Sequence, residues 1–132
     1  LPQSYPFLMI DRVVDFRKGE SLTAIKNITG NEWVFDGQSC QTGVFPETLL
    51  IEAAAQVAIL FYRLNKAEQN TQSKIFLGRA KAEFLKSVHI GDQLRLKTAA
   101  YKMLVTSGYM DIQASVNEVD VANLEIMYSV IK

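Results

Sequence analysis

Residues 44–64 decide the fold, and they read VFPETLLIEAAAQVAILFYRL. Pro46 suits the first turn of a helix, and Glu47 then favours the positive helix N-terminus. The Ala and Leu residues that follow are strong helix formers. We expect one helix over residues 46–66, about 30 Å long at about 1.5 Å per residue. Because the interior of this stretch is apolar on nearly every side, we expect the helix to be buried on nearly every side.

A membrane span is the competing interpretation of the same stretch. Four polar side chains interrupt the apolar run: Glu47, Glu52, Gln56 and Arg63. Ionisable side chains are costly in the hydrocarbon core of a bilayer. The sequence therefore predicts a buried helix and no membrane association.

Downstream of this helix the hydrophobic period changes to two, which is typical of half-buried strands. Together with an upstream hairpin, the pattern gives about six strands: residues 9–16, 22–29, 74–85, 94–100, 110–116 and 124–130. We expect turns at 17–20, 106–108 and 118–121. Hairpin connections make the sheet antiparallel. The sequence therefore predicts an α+β domain in which the sheet wraps around one long central helix.

The composition limits the class of protein. The 132 residues have room for one domain, and 48% hydrophobic residues support a packed core that a second copy would help to bury. Fourteen basic residues balance fourteen acidic ones, so we expect no nucleic-acid binding. Cys40 and His89 are single residues of their kinds, and nothing indicates a disulfide, a metal or another cofactor. No signal-peptide pattern is visible, and we expect a cytoplasmic protein.

Glu52 is the leading candidate for chemistry. Apolar residues surround it on the helix, and a lone ionised carboxylate there is costly, which favours the protonated form that an acid catalyst needs. Gln56 lies four residues on, so it shares the helix face of Glu52 and can hydrogen-bond the carboxyl and orient it. The alternative is that this face lines a wet crevice or a dimer interface, with Glu52 solvated or paired.

The loop before the helix, residues 35–43, is polar and contains two glycines. Backbone N–H groups at the helix start can receive an oxyanion there, although an ordinary surface loop is the alternative. Cys40 lies in this loop and would need a base to act as a nucleophile, for which His89 is the available histidine. We expect His89 at the surface instead.

Four stretches of the chain carry a family resemblance. They are LPQSYPFLMIDRV at 1–13, AIKNIT at 24–29 followed by Asn-Glu, PETLLIEAAAQ at 46–56, and the segment 78–94, which ends in GDQL. In order and spacing they resemble the β-hydroxyacyl-acyl-carrier-protein dehydratases of fatty-acid synthesis, which have the hotdog fold. The resemblance implies one hotdog domain over residues 1–132.

The same resemblance implies roles for individual residues. In the family a loop histidine takes the C2 proton of a 3-hydroxyacyl thioester, and a helix carboxylate, matched here by Glu52, serves as the acid. The histidine lies fourteen residues before the carboxylate, and that position is Gln38. A second family histidine is replaced by Gln3, and Glu47 stands where the family has glycine. The amide of Gln38 offers hydrogen bonds but accepts no proton at neutral pH.

Three functions stay open at this point. The first is a dehydratase-like protein that handles acyl thioesters, with impaired or altered activity. The second is a hotdog acyl thioesterase that uses Glu52, and the third is a non-catalytic partner subunit of an active dehydratase. The resemblance also implies acyl carrier protein or acyl-CoA as the substrate, and a homodimer or higher oligomer with sites between protomers.

The substrate contacts expected from the sequence fall into three groups. Candidates to line an apolar acyl tunnel are Phe7, Leu8, Phe45, Leu49 and Phe84. Candidates to approach the thioester are Gln38, Cys40, Glu47, Glu52 and Gln56. Candidates to meet an acidic carrier protein are Arg79, Lys81 and Lys86, with a scattered solvated surface as the alternative.

Overall fold

The computed structural model describes residues 10–29, 44–65, 74–103 and 107–131. Its elements, in chain order, are β1 (Arg12–Arg17), β2 (Ser21–Asn27), α1 (Glu47–Asn65), β3 (Lys74–Phe84), β4 (Gln93–Met103), β5 (Ser107–Val116) and β6 (Val119–Ile131). The strands form one sheet in the order β1-β2-β4-β5-β6-β3, and every neighbouring pair is antiparallel. The predicted α+β architecture is confirmed.

Helix α1 packs on the inner face of the sheet, against β2 to β6. The inner positions of the central strands are almost fully buried, as alternation predicts: Leu22, Ala24, Leu94, Leu96, Met110, Ile112, Leu124 and Ile126. On the helix, Ala53, Ala54 and Ala58 are at most 2% exposed. Because alanine side chains are small, they let the helix backbone approach the sheet closely.

The two ends of α1 agree with the sequence expectation to within one residue. Pro46 precedes the helix, and its carbonyl accepts hydrogen bonds from the backbone N–H groups of Leu49 and Leu50, both at 3.1 Å. Glu47 lies in the first turn and Arg63 in the last turn, where each charge is favourable to the helix dipole.

The expectation of burial on nearly every side of the helix is wrong for one face. The open face of α1 carries Thr48, Glu52, Ile59 and Arg63, of which Thr48 is exposed and the other three are half-buried. The apolar pattern of the sequence did not separate this face from the buried faces because Leu49 and Leu60 flank it.

Two predicted turns are also corrected. Residues 107 and 108, which were expected in a turn, belong to β5. Residues 119–121 belong to β6, so the turn between β5 and β6 consists of Asn117 and Glu118. Both of these residues have positive φ, 51° and 68°, as a tight two-residue hairpin turn requires. The usual glycine signal for such a turn is missing, which explains why a longer turn was expected.

The two edge strands differ. β1 has six residues and a register irregularity between Val13 and Asp15, whereas β3 has eleven residues and, among the described strands, pairs with β6 alone. Residues 78–83 of β3 are exposed on both faces of the sheet.

In the described part of the chain, no helix has the length and apolar character required to span a bilayer.

Candidate active site

Glu52 and Gln56 form the polar pair that the sequence predicts. The Gln56 side-chain amide donates a hydrogen bond from Nε2 to Oε1 of Glu52, at 3.1 Å. Gln56 is fully buried, whereas Glu52 is half-buried on the open face of α1. The pair therefore joins the core to a surface that the rest of the described chain leaves partly uncovered.

A cavity of about 260 Å³ lies at the start of the same helix. Its walls are mostly apolar: Val44, Phe45, Pro46, Leu50, Phe84 and Val88. Glu47, Lys86 and Ser87 supply its polar lining. Glu52 and Gln56 do not line this cavity. Because five residues of helix correspond to about 7.5 Å, Glu52 lies roughly that far along the axis from Glu47.

The loop over residues 85–92 builds one wall of this cavity, and backbone hydrogen bonds hold it in place. The Phe45 N–H donates to the Val88 carbonyl at 2.7 Å, and Val44 bridges to His89 in an antiparallel pair. At the other end of the loop, the Gly91 N–H donates to the carbonyl of Ile28 at 2.7 Å. The loop therefore ties the helix entry to the end of β2.

The structure locates several of the predicted site residues individually. Phe45 is 3% exposed and lines the cavity, Glu47 is exposed at its rim, and Leu49 is half-buried against the core. Phe84 is half-buried in the cavity wall. Four predicted residues lie outside the described residues: Phe7, Leu8, Gln38 and Cys40.

Sequence reasoning missed Leu50, Ser87 and Val88 as cavity residues. Leu50 follows Pro46 by four residues, so helix periodicity offered a signal for it. No local pattern identifies Ser87 and Val88, because only the tertiary pairing with Val44 and Phe45 brings them to the helix start.

His89 lies at the surface, as expected, with its side chain 56% exposed. Its backbone N–H donates to Oδ2 of Asp92 at 2.8 Å, and its ring Nδ1 lies 4.0 Å from the same oxygen. His89 is therefore engaged in shaping its own turn. Its predicted alternative partner, Cys40, lies outside the described residues.

The three basic residues proposed for carrier-protein contact do not form one cluster. Lys86 lies at the cavity. Arg79 and Lys81 are exposed on β3, and Lys81 pairs across the sheet with Glu125. Lys81 also lines an open hollow of about 660 Å³ on the outer face of the sheet, together with Asp111 and Glu125. Of these three residues, Lys86 is thus the one that lines the cavity at the helix start.

The arrangement supplies one carboxyl group, oriented by an amide and beside apolar surface. A carboxyl in such a position can donate or accept one proton. Among the described residues, no group of three or more His, Cys, Asp or Glu side chains is placed to hold a metal ion.

A six-stranded antiparallel sheet packed on one helix, with the Glu52 carboxyl half-buried on that helix, defines a hotdog-fold protein. The fold is similar to that of the dehydratase heterocomplex ApeI:P from Xenorhabdus doucetiae, with a TM-score of 0.83 and 14% identity over 100% of this chain and 88% of that one. It is also similar to a mutant of thioesterase PA1618 from Pseudomonas aeruginosa, with a TM-score of 0.74 and 17% identity over 95% and 83% of the two chains. At these identities the similarity shows the fold alone.

The sequence comparisons show the family. The model of the FabA-like domain matches residues 1–125, and the chain belongs to this family. It is 37% identical over 132 residues to the 3-hydroxyacyl-acyl-carrier-protein dehydratase FabZ of Thioalkalivibrio sulfidiphilus (strain HL-EbGR7), covering 96% of this chain and 89% of that protein. It is 40% identical over 129 residues to the FabZ of Shewanella pealeana (strain ATCC 700345 / ANG-SQ1), covering 96% and 84%.

Proposed function

We propose that this protein binds 3-hydroxyacyl chains carried on acyl carrier protein and that Glu52 is its acid group for the loss of water. Support comes from the FabA-like family model over most of the chain and from the FabZ relatives. The observation that carries the proposal is the Glu52 carboxyl, half-buried on the open face of α1 and held by Gln56.

The proposed reaction removes one water from the acyl chain. The C2–H and C3–O bonds break, a C2–C3 double bond forms, and the hydroxyl leaves as water with a proton from Glu52. An acid is needed because hydroxide is a poor leaving group. A base must take the C2 proton, whose loss is assisted when the thioester oxygen accepts hydrogen bonds from backbone N–H groups.

The proton acceptor distinguishes this chain from its family. The family resemblance assigns that role to a histidine at the position of Gln38, and a glutamine amide is not a base. The C2 proton then passes to the Glu52 carboxylate, which delivers the same proton to the departing hydroxyl, or it passes to a water molecule that returns it to Glu52 after Glu52 has protonated the hydroxyl. Loss of a positioned base typically lowers a rate by about 10²–10⁴-fold, so we propose a slow dehydratase.

The cavity at the helix start fits the thioester-bearing part of such a substrate. Its walls are mostly apolar, and Lys86 at its lining offers a positive charge to an acidic carrier protein. The carboxylate of Glu47 at the rim opposes negative charge that develops on the thioester oxygen. This opposition is a second reason to expect a low rate.

The test is the formation of the enoyl product from a 3-hydroxyacyl carrier protein by three chains: the wild type, Glu52→Gln and Gln38→His. We expect slow turnover by the wild type, none above background by Glu52→Gln, and a gain of about 10²–10⁴-fold in Gln38→His. Free thiol is followed in the same samples. Wild-type turnover no greater than that of Glu52→Gln, without a gain in Gln38→His, contradicts the proposal, and thiol release that requires Glu52 identifies a thioesterase instead.

A second candidate function is that of a partner subunit of an active dehydratase. Two observations favour it: the edge of β3 that no other described strand pairs with, and the open face of α1, on which the described chain leaves Glu52 partly uncovered. The fold similarity to a dehydratase heterocomplex is in keeping with such an assembly. Co-expression with an active dehydratase of the same cell distinguishes the two candidates, because a partner subunit forms a stable hetero-oligomer and a self-sufficient enzyme forms a homodimer.

A further inference from the structure

The two ends of the Glu52–Gln56 pair have opposite surroundings. Gln56 is 0% exposed and lies among the largest fully buried side chains of the protein. Glu52 is half-buried and faces the open side of α1. The amide is thus fixed by the core, and the carboxyl is fixed by the amide.

A glutamine is an unusual choice for a fully buried position of a helix. Burial of an amide without hydrogen bonds costs about 1–3 kcal/mol in proteins, and the neighbouring core positions Ala53 and Val57 are apolar. Packing alone does not explain Gln56. The hydrogen bond from Nε2 to Oε1 of Glu52 gives the residue a role that an apolar side chain cannot fill.

The direction of this hydrogen bond separates the two carboxyl oxygens. Nε2 is a donor only, so Oε1 of Glu52 must accept. A proton that resides on the carboxyl is then favoured on Oε2, because a proton on Oε1 competes with the Gln56 donor. The geometry leaves Oε2 as the oxygen that can donate to a ligand.

We propose that Gln56 is the positioning residue of the Glu52 carboxyl: by donating to Oε1, it makes Oε2 the oxygen that delivers the acid proton. This inference rests on the proposed role of Glu52 as the acid. Gln56 itself touches no reacting atom and acts only through Glu52. Misplacement of a catalytic group by about 1 Å can cost roughly 10²-fold in rate.

The variant Gln56→Met tests this role, because methionine is similar in length to glutamine and packs well in cores but offers no donor. We expect kcat to fall about 10–100-fold, with KM changed less than about threefold, since substrate contacts are kept. In the Glu52→Ala background, which has no turnover to lose, the effect of the substitution is measured by urea unfolding, and we expect it to lower stability less there than in the wild type because the hydrogen-bond partner is already absent. An equal loss of stability in both backgrounds, or an increase in KM alone, overturns the proposal, because both outcomes indicate a general packing role.

A spectroscopic measurement separates failure of this inference from failure of the dehydratase proposal. The side-chain amide resonances of Gln56 in ¹⁵N-labelled wild type are compared with those of Glu52→Ala. We expect a downfield Nε2 proton in the wild type that moves upfield in Glu52→Ala, while the backbone spectrum is kept. An unchanged resonance overturns the positioning role whatever the turnover. A shifted resonance without wild-type turnover overturns the dehydratase function and retains Gln56 as the residue that orients Glu52.

Discussion

Tyr128 is a buried side chain that keeps its polar atom inside the core. It is 2% exposed, and its ring contacts that of Tyr62 edge to face, with centroids 5.4 Å apart. Among the described residues its hydroxyl has no hydrogen-bond partner. Burial, with a smaller contribution from Tyr62, raises the pKa of Tyr128 from 10.0 to about 12.

This pKa predicts how stability depends on alkaline pH. Between pH 10 and about pH 12 the unfolded chain has lost the Tyr128 proton and the folded chain retains it. Stability therefore falls as the pH rises through this window. Two pKa units correspond to at most about 3 kcal/mol. The variant Tyr128→Phe is expected to remove this part of the slope and to leave stability at neutral pH equal or slightly higher, as measured by urea unfolding across the window.

The matched control for this measurement is Tyr109→Phe. Tyr109 is half-buried on β5, and its substitution leaves the Tyr128 hydroxyl in place. This control is expected to retain the wild-type slope. A slope in Tyr128→Phe as steep as that of the wild type would show that another group is responsible.

At the scale of elements, one side chain ties the far end of α1 to the first hairpin. The Asn65 amide donates from Nδ2 to the Phe61 carbonyl at 2.9 Å, and its Oδ1 accepts a hydrogen bond of 2.6 Å from the Gly19 N–H. Gly19 has a φ of 76°, a conformation that glycine adopts at little cost. Asn65 therefore ends the helix and also anchors the turn between β1 and β2.

We expect Asn65→Ala to lower the free energy of unfolding by about 1–3 kcal/mol, because two hydrogen bonds are lost at about 0.5–1.5 kcal/mol each. Urea unfolding at one fixed protein concentration measures the effect. The control is Gln113→Ala on the exposed outer face of the sheet, which we expect to change stability by less than about 0.5 kcal/mol. Equal midpoints for Asn65→Ala and the control would contradict the anchoring role.

The elements differ in how far the sequence could predict them. The helix was predicted within one residue because Pro46 and the polar stretch after Asn65 are strong local signals. The hairpin between β5 and β6 was misplaced because its turn uses Asn117 and Glu118 at positive φ instead of glycine. A local pattern cannot reveal that choice, since it is imposed by the pairing of the two strands.

The candidate site also contains features that local sequence patterns predict and features that they do not. The hydrogen bond between Glu52 and Gln56 was predictable because residues four apart share a helix face. The wall formed by Ser87 and Val88 was not, because it depends on backbone pairing between segments more than forty residues apart. The open face of α1 was missed for a related reason: its exposure depends on how far the sheet extends around the helix.

At the scale of the whole molecule, the sheet ends differently on its two sides. β1 is short, irregular and carries the exposed charges Arg12, Asp15 and Arg17, which are features that discourage pairing with another strand. β3 is eleven residues long, and in the part of the chain that the structure describes no strand pairs with its outer edge. Ala80 and Ala82 pair with the core residues Ile126 and Leu124, so they lie on the helix side of the sheet. Both alanines are nevertheless exposed.

These features favour a second copy that pairs along β3 and covers the exposed alanines, and we expect a dimer in sedimentation equilibrium. Ala82→Lys places a charge on this apolar strip and is expected to give a monomer, because an unpaired charge opposes burial. The control is Val13→Lys, which adds the same charge at an exposed position, 39% accessible, on the opposite edge. It is expected to remain a dimer. A monomeric wild type would contradict the expected dimer, and loss of the dimer in both variants would show that the interface does not lie specifically along β3.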